Sequence, residues 1–127
     1  MKQKEHHVII SLASNHNQEA TMSAAREQLT QLLSNACFTS SIWTDPICHP
    51  EKNRYREKYL NQLCAGTTNF GTGLLEEVLK ETEIRLGRRH NEDGIVVIDL
   101  DLLEYDGMRH HLRDWNRNYV KDLIKEI

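Results

Sequence analysis

Ile95-Val96-Val97-Ile98-Asp99-Leu100-Asp101-Leu102-Leu103 is the strongest strand signal in the chain, a β-branched run that passes into alternating acid and aliphatic residues. On a strand, residues i and i+2 share a face. Asp99 and Asp101 should therefore project together, about 6–7 Å apart, while Ile98, Leu100 and Leu102 turn to a core. Upstream, residues 88–94 read as a polar loop, and before it Leu75, Leu79, Thr82 and Leu86 repeat at helical spacing with Gly87 as the stop. Residues 59–68 read as a strand that carries Tyr59, Asn61 and Leu63 on one face. Residues 45–57 hold both prolines, Pro46 and Pro50, and read as a long functional loop. Residues 38–44, aromatic and β-branched, read as one strand. Ahead of it Met22, Ala25, Leu29, Leu32 and Ala36 make one helical stripe, and residues 8–12 a buried strand. Residues 110–127 predict a short amphipathic helix around Tyr119, Leu123 and Ile127. The order β-α-β-loop-β-α-β with a helical tail predicts an α+β fold, the ferredoxin-like split βαβ sandwich, an antiparallel sheet with helices packed on one face.

The length, 127 residues, predicts a single domain over residues 1–127. Sixteen Lys and Arg against nineteen Asp and Glu give a formal charge of −3, which lacks the basic footprint of a nucleic-acid binder. No apolar run approaches the roughly 20 residues that span a bilayer, so no membrane association is expected. The start leads only into Val8-Ile9-Ile10, too short for a signal segment. Cys37, Cys48 and Cys64 lack CxxC spacing and read as reduced thiols, which points to the cytoplasm.

Asp99 and Asp101 repel each other on a half-buried strand, so a cation should sit between them, and Mg²⁺ suits hard carboxylate oxygens beside phosphates. The competing reading is two solvated surface aspartates. Around them lies a basic set, Arg88 and Arg89 before the strand and Arg109, His110, His111, Arg113 and Arg117 after it. Guanidinium forks beside paired acids suit a metal–polyphosphate complex. No Walker A loop, GxGxxG or kinase HRD signature is present. Cys48-His49, His6-His7 and His110-His111 lack a second ligand pair at zinc-finger spacing.

Several segments together resemble the 6-hydroxymethyl-7,8-dihydropterin pyrophosphokinases of folate biosynthesis, over roughly residues 8–119. Ser11-Leu12-Ala13-Ser14-Asn15 is similar to the family's strand ending in Gly-Ser-Asn, with Ala13 at the Gly. Residues 40–46 are similar to its Ser-Ser strand running into a Thr-Pro turn, with Asp45 at the Thr. Tyr59-Leu60-Asn61 matches its Tyr-Leu-Asn, Glu83-Ile84-Arg85-Leu86-Gly87-Arg88 its Glu-to-Gly-Arg stretch, and Ile98-Asp99-Leu100-Asp101-Leu102-Leu103 its hallmark strand.

The resemblance implies pyrophosphate transfer from ATP to the pterin hydroxymethyl group, with AMP released and two Mg²⁺ ions required. It implies Asp99, Asp101 and Arg88 as catalytic residues, with Asp99 and Asp101 holding the metal. ATP would be bound by Arg88, His111, Arg117 and Leu102, and the pterin by Asn61, Tyr59, Tyr119 and Asp45. It implies closure of the loops 45–57 and 89–94 over the site, and no obligatory protein partner. The family has an Arg three residues before the first metal Asp, and here that residue is Val96. The family's second basic residue after Gly-Arg is His90, and the segments around and after His111 are shortened. These departures leave a second reading open, a pterin- or nucleotide-binding protein of the same fold with weak or no transfer. A ferredoxin-like regulatory domain without small-molecule chemistry stays open on fold grounds.

Overall fold

The computed structural model describes residues 4–46, 57–89 and 94–127. The expected loop 45–57, His90, Cys48 and His49 therefore lie largely or wholly outside the described residues. The element order is β1 (His6–Ser14), α1 (Gln18–Leu32), β2 (Ser34–Phe38), β3 (Ile42–Thr44), β4 (Tyr59–Thr68), α2 (Thr72–Arg85), β5 (Asp99–Tyr105), β6 (Met108–Arg109) and α3 (Asn118–Leu123). Among the described residues the six strands form one sheet in the order β2-β4-β1-β5-β6, with β3 also on β4. Every recorded pairing is antiparallel. This is the expected ferredoxin-like α+β arrangement.

Strand alternation gives the sheet two different faces. Val8, Ile10 and Leu12 of β1, Leu60 and Cys64 of β4, and Leu100 and Leu102 of β5 meet Met22, Ala25 and Leu29 of α1 and Leu75 and Leu79 of α2 in the main core. Ile9, Leu63 and Leu103 point the other way and form a second core with Trp115, Val120 and Leu123. The two long helices thus share one face as expected, and the C-terminal segment covers part of the opposite one. Trp115 anchors that segment, its indole N–H donating to the carbonyls of Leu103 and His110 at 3.1 Å each.

Four local readings are corrected. The strand begins at Asp99 rather than Ile95, because β1 pairs with β5 only as far as Ala13↔Asp99. Beyond that point the side chain of Asn15 takes over, accepting the Val96 N–H at 2.6 Å and donating to Gly94 O at 2.9 Å. Residues 38–44 split into β2 and β3, because Thr39 meets Leu63 with its own Oγ1, which accepts the Leu63 N–H at 3.0 Å. α1 stops at Leu32, so Leu33 is the buried residue that follows Leu29 and Ala36 lies in β2. Ile127 is exposed, and the tail packs through Val120 and Leu123 instead.

Gly87 ends α2 in the left-handed region, at φ 105°. At Gly66 a Cβ would meet Leu33 Cβ and Ser34 O at 3.1 Å, so glycine lets the α1–β2 junction lie close on β4 without displacing either.

Candidate active site

The sheet register builds the site before any side chain is considered. Ala13 of β1 stands opposite Asn61 of β4 on one side and Asp99 of β5 on the other. Asn61 in turn stands opposite Ile42 of β3. Ala13 is the smallest side chain in this row, so a floor is left open between Asn61 and Asp99. Above it lies a cavity of about 490 Å³, walled by Thr44, Asp45, Tyr59, Arg88, Val96 and residues 114 and 116–119. The sheet row supplies the floor and the C-terminal segment the far wall.

Seven of the sequence-derived candidates meet here: Asp45, Tyr59, Asn61, Arg88, Asp99, Arg117 and Tyr119. The other three, Asp101, Leu102 and His111, line a neighbouring depression of about 150 Å³ with Glu76, Leu79, Lys80 and Leu100. Leu102 is 1% exposed, so its side chain belongs to the core. Asp99 and Asp101 share a strand face and a hydrogen bond, and so form the ridge between cavity and depression.

The charges on that ridge are unevenly matched. Arg88 Nη1 donates to Asp99 Oδ1 at 2.9 Å and lies 3.2 Å from Glu83 Oε2. Glu83 is buried on α2 and accepts the Leu100 N–H at 2.7 Å, so it ties the helix to β5 and holds Arg88 against the ridge. Burial pushes the Glu83 carboxyl up, against the pull of the Leu100 N–H and of Arg88. Burial works against the charge on Arg88, but Glu83 and Asp99 outweigh it and hold the guanidinium above its ordinary value. Asp101 feels the Arg88 charge, but the direct guanidinium contact goes to Asp99. Burial, then the charge of Asp99 and their shared hydrogen bond, push it up to about 7.

A carboxylate pair with that surplus of negative charge fits a hard divalent cation such as Mg²⁺. Among the described residues no cluster of three or more His, Cys, Asp or Glu side chains is placed to hold a metal. The remaining oxygen ligands would then come from water and phosphate, as is usual for Mg²⁺.

The opposite end of the cavity is aromatic and amide-lined. Asn61 Nδ2 donates to Thr44 Oγ1 at 2.9 Å and Ile42 O at 3.1 Å, which fixes β3 against β4 and sets Thr44 in the wall. Asp45 is exposed and 3.9 Å from Lys58 Nζ. Burial raises the Tyr59 phenol, with Asp99 adding to it, and pushes Tyr119 up to about 12, with Asp114 adding to it. Both rings therefore stay neutral near pH 7, and they present flat apolar faces with a polar tip.

Sequence reasoning did not assign roles to Glu83, Asn15, Thr44 or Asp114. Glu83 carried a signal, since it stands four residues after Leu79 on the apolar stripe of its helix, and an acid there must be paired. Asp114 carried none, because its place in the wall depends on how Trp115 anchors the tail.

A search among curated proteins finds no match to this chain. A protein-family model described as 7,8-dihydro-6-hydroxymethylpterin-pyrophosphokinase (HPPK) matches residues 9–127, which include every candidate residue named above. With the ferredoxin-like sheet, the acid ridge and the cavity beside it, this match places the chain in the 7,8-dihydro-6-hydroxymethylpterin-pyrophosphokinase family.

Proposed function

We propose that this protein transfers pyrophosphate from ATP to the hydroxymethyl group of 6-hydroxymethyl-7,8-dihydropterin, releasing AMP, in folate biosynthesis. The observation that carries this reading is the Asp99–Asp101 ridge. It stands between a cavity large enough for a flat bicyclic ring and a depression beside His111 and Lys80. A transfer between two substrates needs its charged residues at that junction.

In the transfer, the pterin hydroxyl oxygen forms a bond to the β-phosphorus of ATP, the bond from that phosphorus to the α,β-bridging oxygen breaks, and the hydroxyl proton is lost. Chemistry of this kind asks mainly for positioning and charge neutralisation. Tyr59 and Tyr119 would hold the ring by its faces, and Asn61, Thr44 and Asp45 would meet its polar edge. Arg88, steadied by Glu83, would meet phosphate oxygens as negative charge shifts onto the leaving AMP, and Arg117 would do so from the opposite wall. Asp99 and Asp101 would hold the Mg²⁺, with two ions in the full complex. Bound there, the metal supplies neutralisation of phosphate charge and a lower pKa for the attacking hydroxyl. Asp99, within the cavity, is placed to take up the hydroxyl proton. Among the described residues no helix is long and apolar enough to cross a membrane.

One observation favours the second reading, a binding protein with weak or no transfer. Val96 puts an aliphatic side chain in the cavity wall, with its N–H and C=O both held by Asn15. Incubation with ATP, Mg²⁺ and the pterin separates the two. Pterin-dependent AMP that disappears in Asp101→Ala supports transfer. Protection of the fold against heat by either substrate, without AMP, supports the binder. Neither effect would refute both.

A further inference from the structure

Arg117 cannot meet a phosphate beside an acid ridge that is only partly neutralised by Arg88 unless something keeps it off that ridge. Arg88 already spends a hydrogen bond on Asp99, at 2.9 Å. A second mobile arginine would be drawn to the same carboxylates, where it would compete with metal and substrate alike. The wall contains a residue suited to prevent this. Asp114 opens a short 3-10 turn, Asp114–Asn116, whose side chains at i and i+3 eclipse, so Asp114 and Arg117 face each other. Arg117 Nε donates to Asp114 Oδ1 at 3.1 Å. The turn itself is fixed: Asp114 N–H donates to His111 O at 2.8 Å, and Arg117 N–H to Asp114 O at 3.0 Å. Between them Trp115 is buried, with the Arg109 guanidinium 4.1 Å above its ring.

We propose that Asp114 is a positioning residue that holds Arg117 by Nε and so presents its two terminal nitrogens to the polyphosphate of the substrate. The pair is made through Nε, which leaves the terminal nitrogens as the fork that matches phosphate oxygens. Both Asp114 and Arg117 line the cavity, and Asp114 lies near enough to the ridge to raise Asp101. Arg117 is thereby given its own acid, as Arg88 is given Glu83. The inference rests on the proposed function for the identity of the phosphate ligand, but its test does not require turnover.

The sign of one effect decides it. If Asp114 were only a negative charge beside an anion site, its removal would tighten polyphosphate binding. If it positions Arg117, removal weakens it. Binding of inorganic triphosphate with Mg²⁺ is measured by calorimetry for wild type, Asp114→Asn, Asp114→Ala, Arg117→Ala and the Asp114→Ala/Arg117→Ala double variant. The expected loss is about three- to tenfold in Asp114→Ala, the cost of ordering one long side chain on binding, whereas Asp114→Asn, whose Oδ1 still accepts the Arg117 Nε–H, should bind as wild type or more tightly. The same loss should be absent when Arg117 is already alanine. Where turnover is present, KM for ATP should rise by that factor with kcat little changed. Melting curves that match wild type identify both Asp114 variants as folded. Triphosphate bound equally or more tightly by Asp114→Ala, an undiminished Asp114→Ala effect in the Arg117→Ala background, or no triphosphate binding by the wild-type chain would each overturn the proposal. Triphosphate coupling without any pterin-dependent AMP would instead overturn the transferase reading and leave the positioning role standing.

Discussion

The acid ridge makes a quantitative prediction that needs no substrate. Asp101 titrates near 7 in the folded protein and near its ordinary 3.8 when unfolded. A raised carboxyl binds more protons folded than unfolded across that window, so its contribution to stability is full below about pH 4 and is lost as pH rises through 7. Between pH 5.5 and 8.0 these two values give a loss of about 2 kcal/mol. The site opens to water, so screening reduces this to about 1 kcal/mol. For a chain of this length that is a fall in Tm of about 3–5 °C. Thermal melts in the presence of a chelator, for wild type and Asp101→Asn, isolate the effect of the acid pair, because every titrating group outside it is common to both. The melting temperature of wild type should fall relative to the variant by that amount between the two pH values. Added Mg²⁺ should recover it at pH 8.0, and do less at pH 5.5, where a proton occupies the pair. Parallel pH profiles for the two proteins, or equal stabilisation of Asp101→Asn by Mg²⁺, would refute the argument that the ridge carries uncompensated charge.

Three further outcomes follow from individual contacts. Glu83→Gln weakens the acceptor shared by the Leu100 N–H and Arg88 and should lower stability by about 1–3 kcal/mol, read as a reduced urea midpoint at constant m. Asn15→Ala removes both side-chain bonds to residues 94–96, so hydrogen exchange at the Val96 amide should accelerate by about tenfold, while amides in α1 keep their protection. Tyr119→Ala should weaken pterin binding by about three- to tenfold in a fluorescence titration, and Tyr119→Phe should restore it, because stacking rather than the phenol carries the contact.

What was legible in the sequence was whatever depends on local period. β1, β4 and α2 run nearly where alternation and helical spacing put them. Asp99 and Asp101 share a face because a strand has a period of two. The misreadings have tertiary causes. Residues 95–98 are β-branched and apolar, as a strand should be, yet the neighbouring strand has ended and a single asparagine replaces it. The helix predicted through Ala36 ends early because Gly66 admits the chain onto the sheet at Leu33. The acid pair and its basic neighbours were legible from strand period and charge, whereas the pterin-side residues were legible only through the resemblance to a known family. Residues that meet the cavity from β4, from the ends of α2 and β5 and from the tail at Arg117 and Tyr119 were nominated, and Thr44 of β3 was not. Those that act through another residue, Glu83 on Arg88 and Asn15 on Val96, were not, because a supporting bond has no motif.

The C-terminal segment shows why binding residues and stabilising residues cannot be separated in so short a chain. Trp115, Val120 and Leu123 form half of the second core, and the residues interleaved with them, Asp114, Arg117 and Tyr119, form the cavity wall. One short stretch thus alternates between burying apolar surface and presenting polar groups, and neither role survives a shift of the other. The link extends to β3. The Glu126 carboxylate accepts the Ser40 N–H at 2.9 Å and its hydroxyl at 2.7 Å, just ahead of the strand that carries Ile42 and Thr44. Ile42 packs on the second core while Thr44 lines the cavity, so the tail sets the near wall as well as the far one. Loosening this segment should therefore move both walls of the site together while the α1–α2 core, on the opposite face of the sheet, keeps its packing.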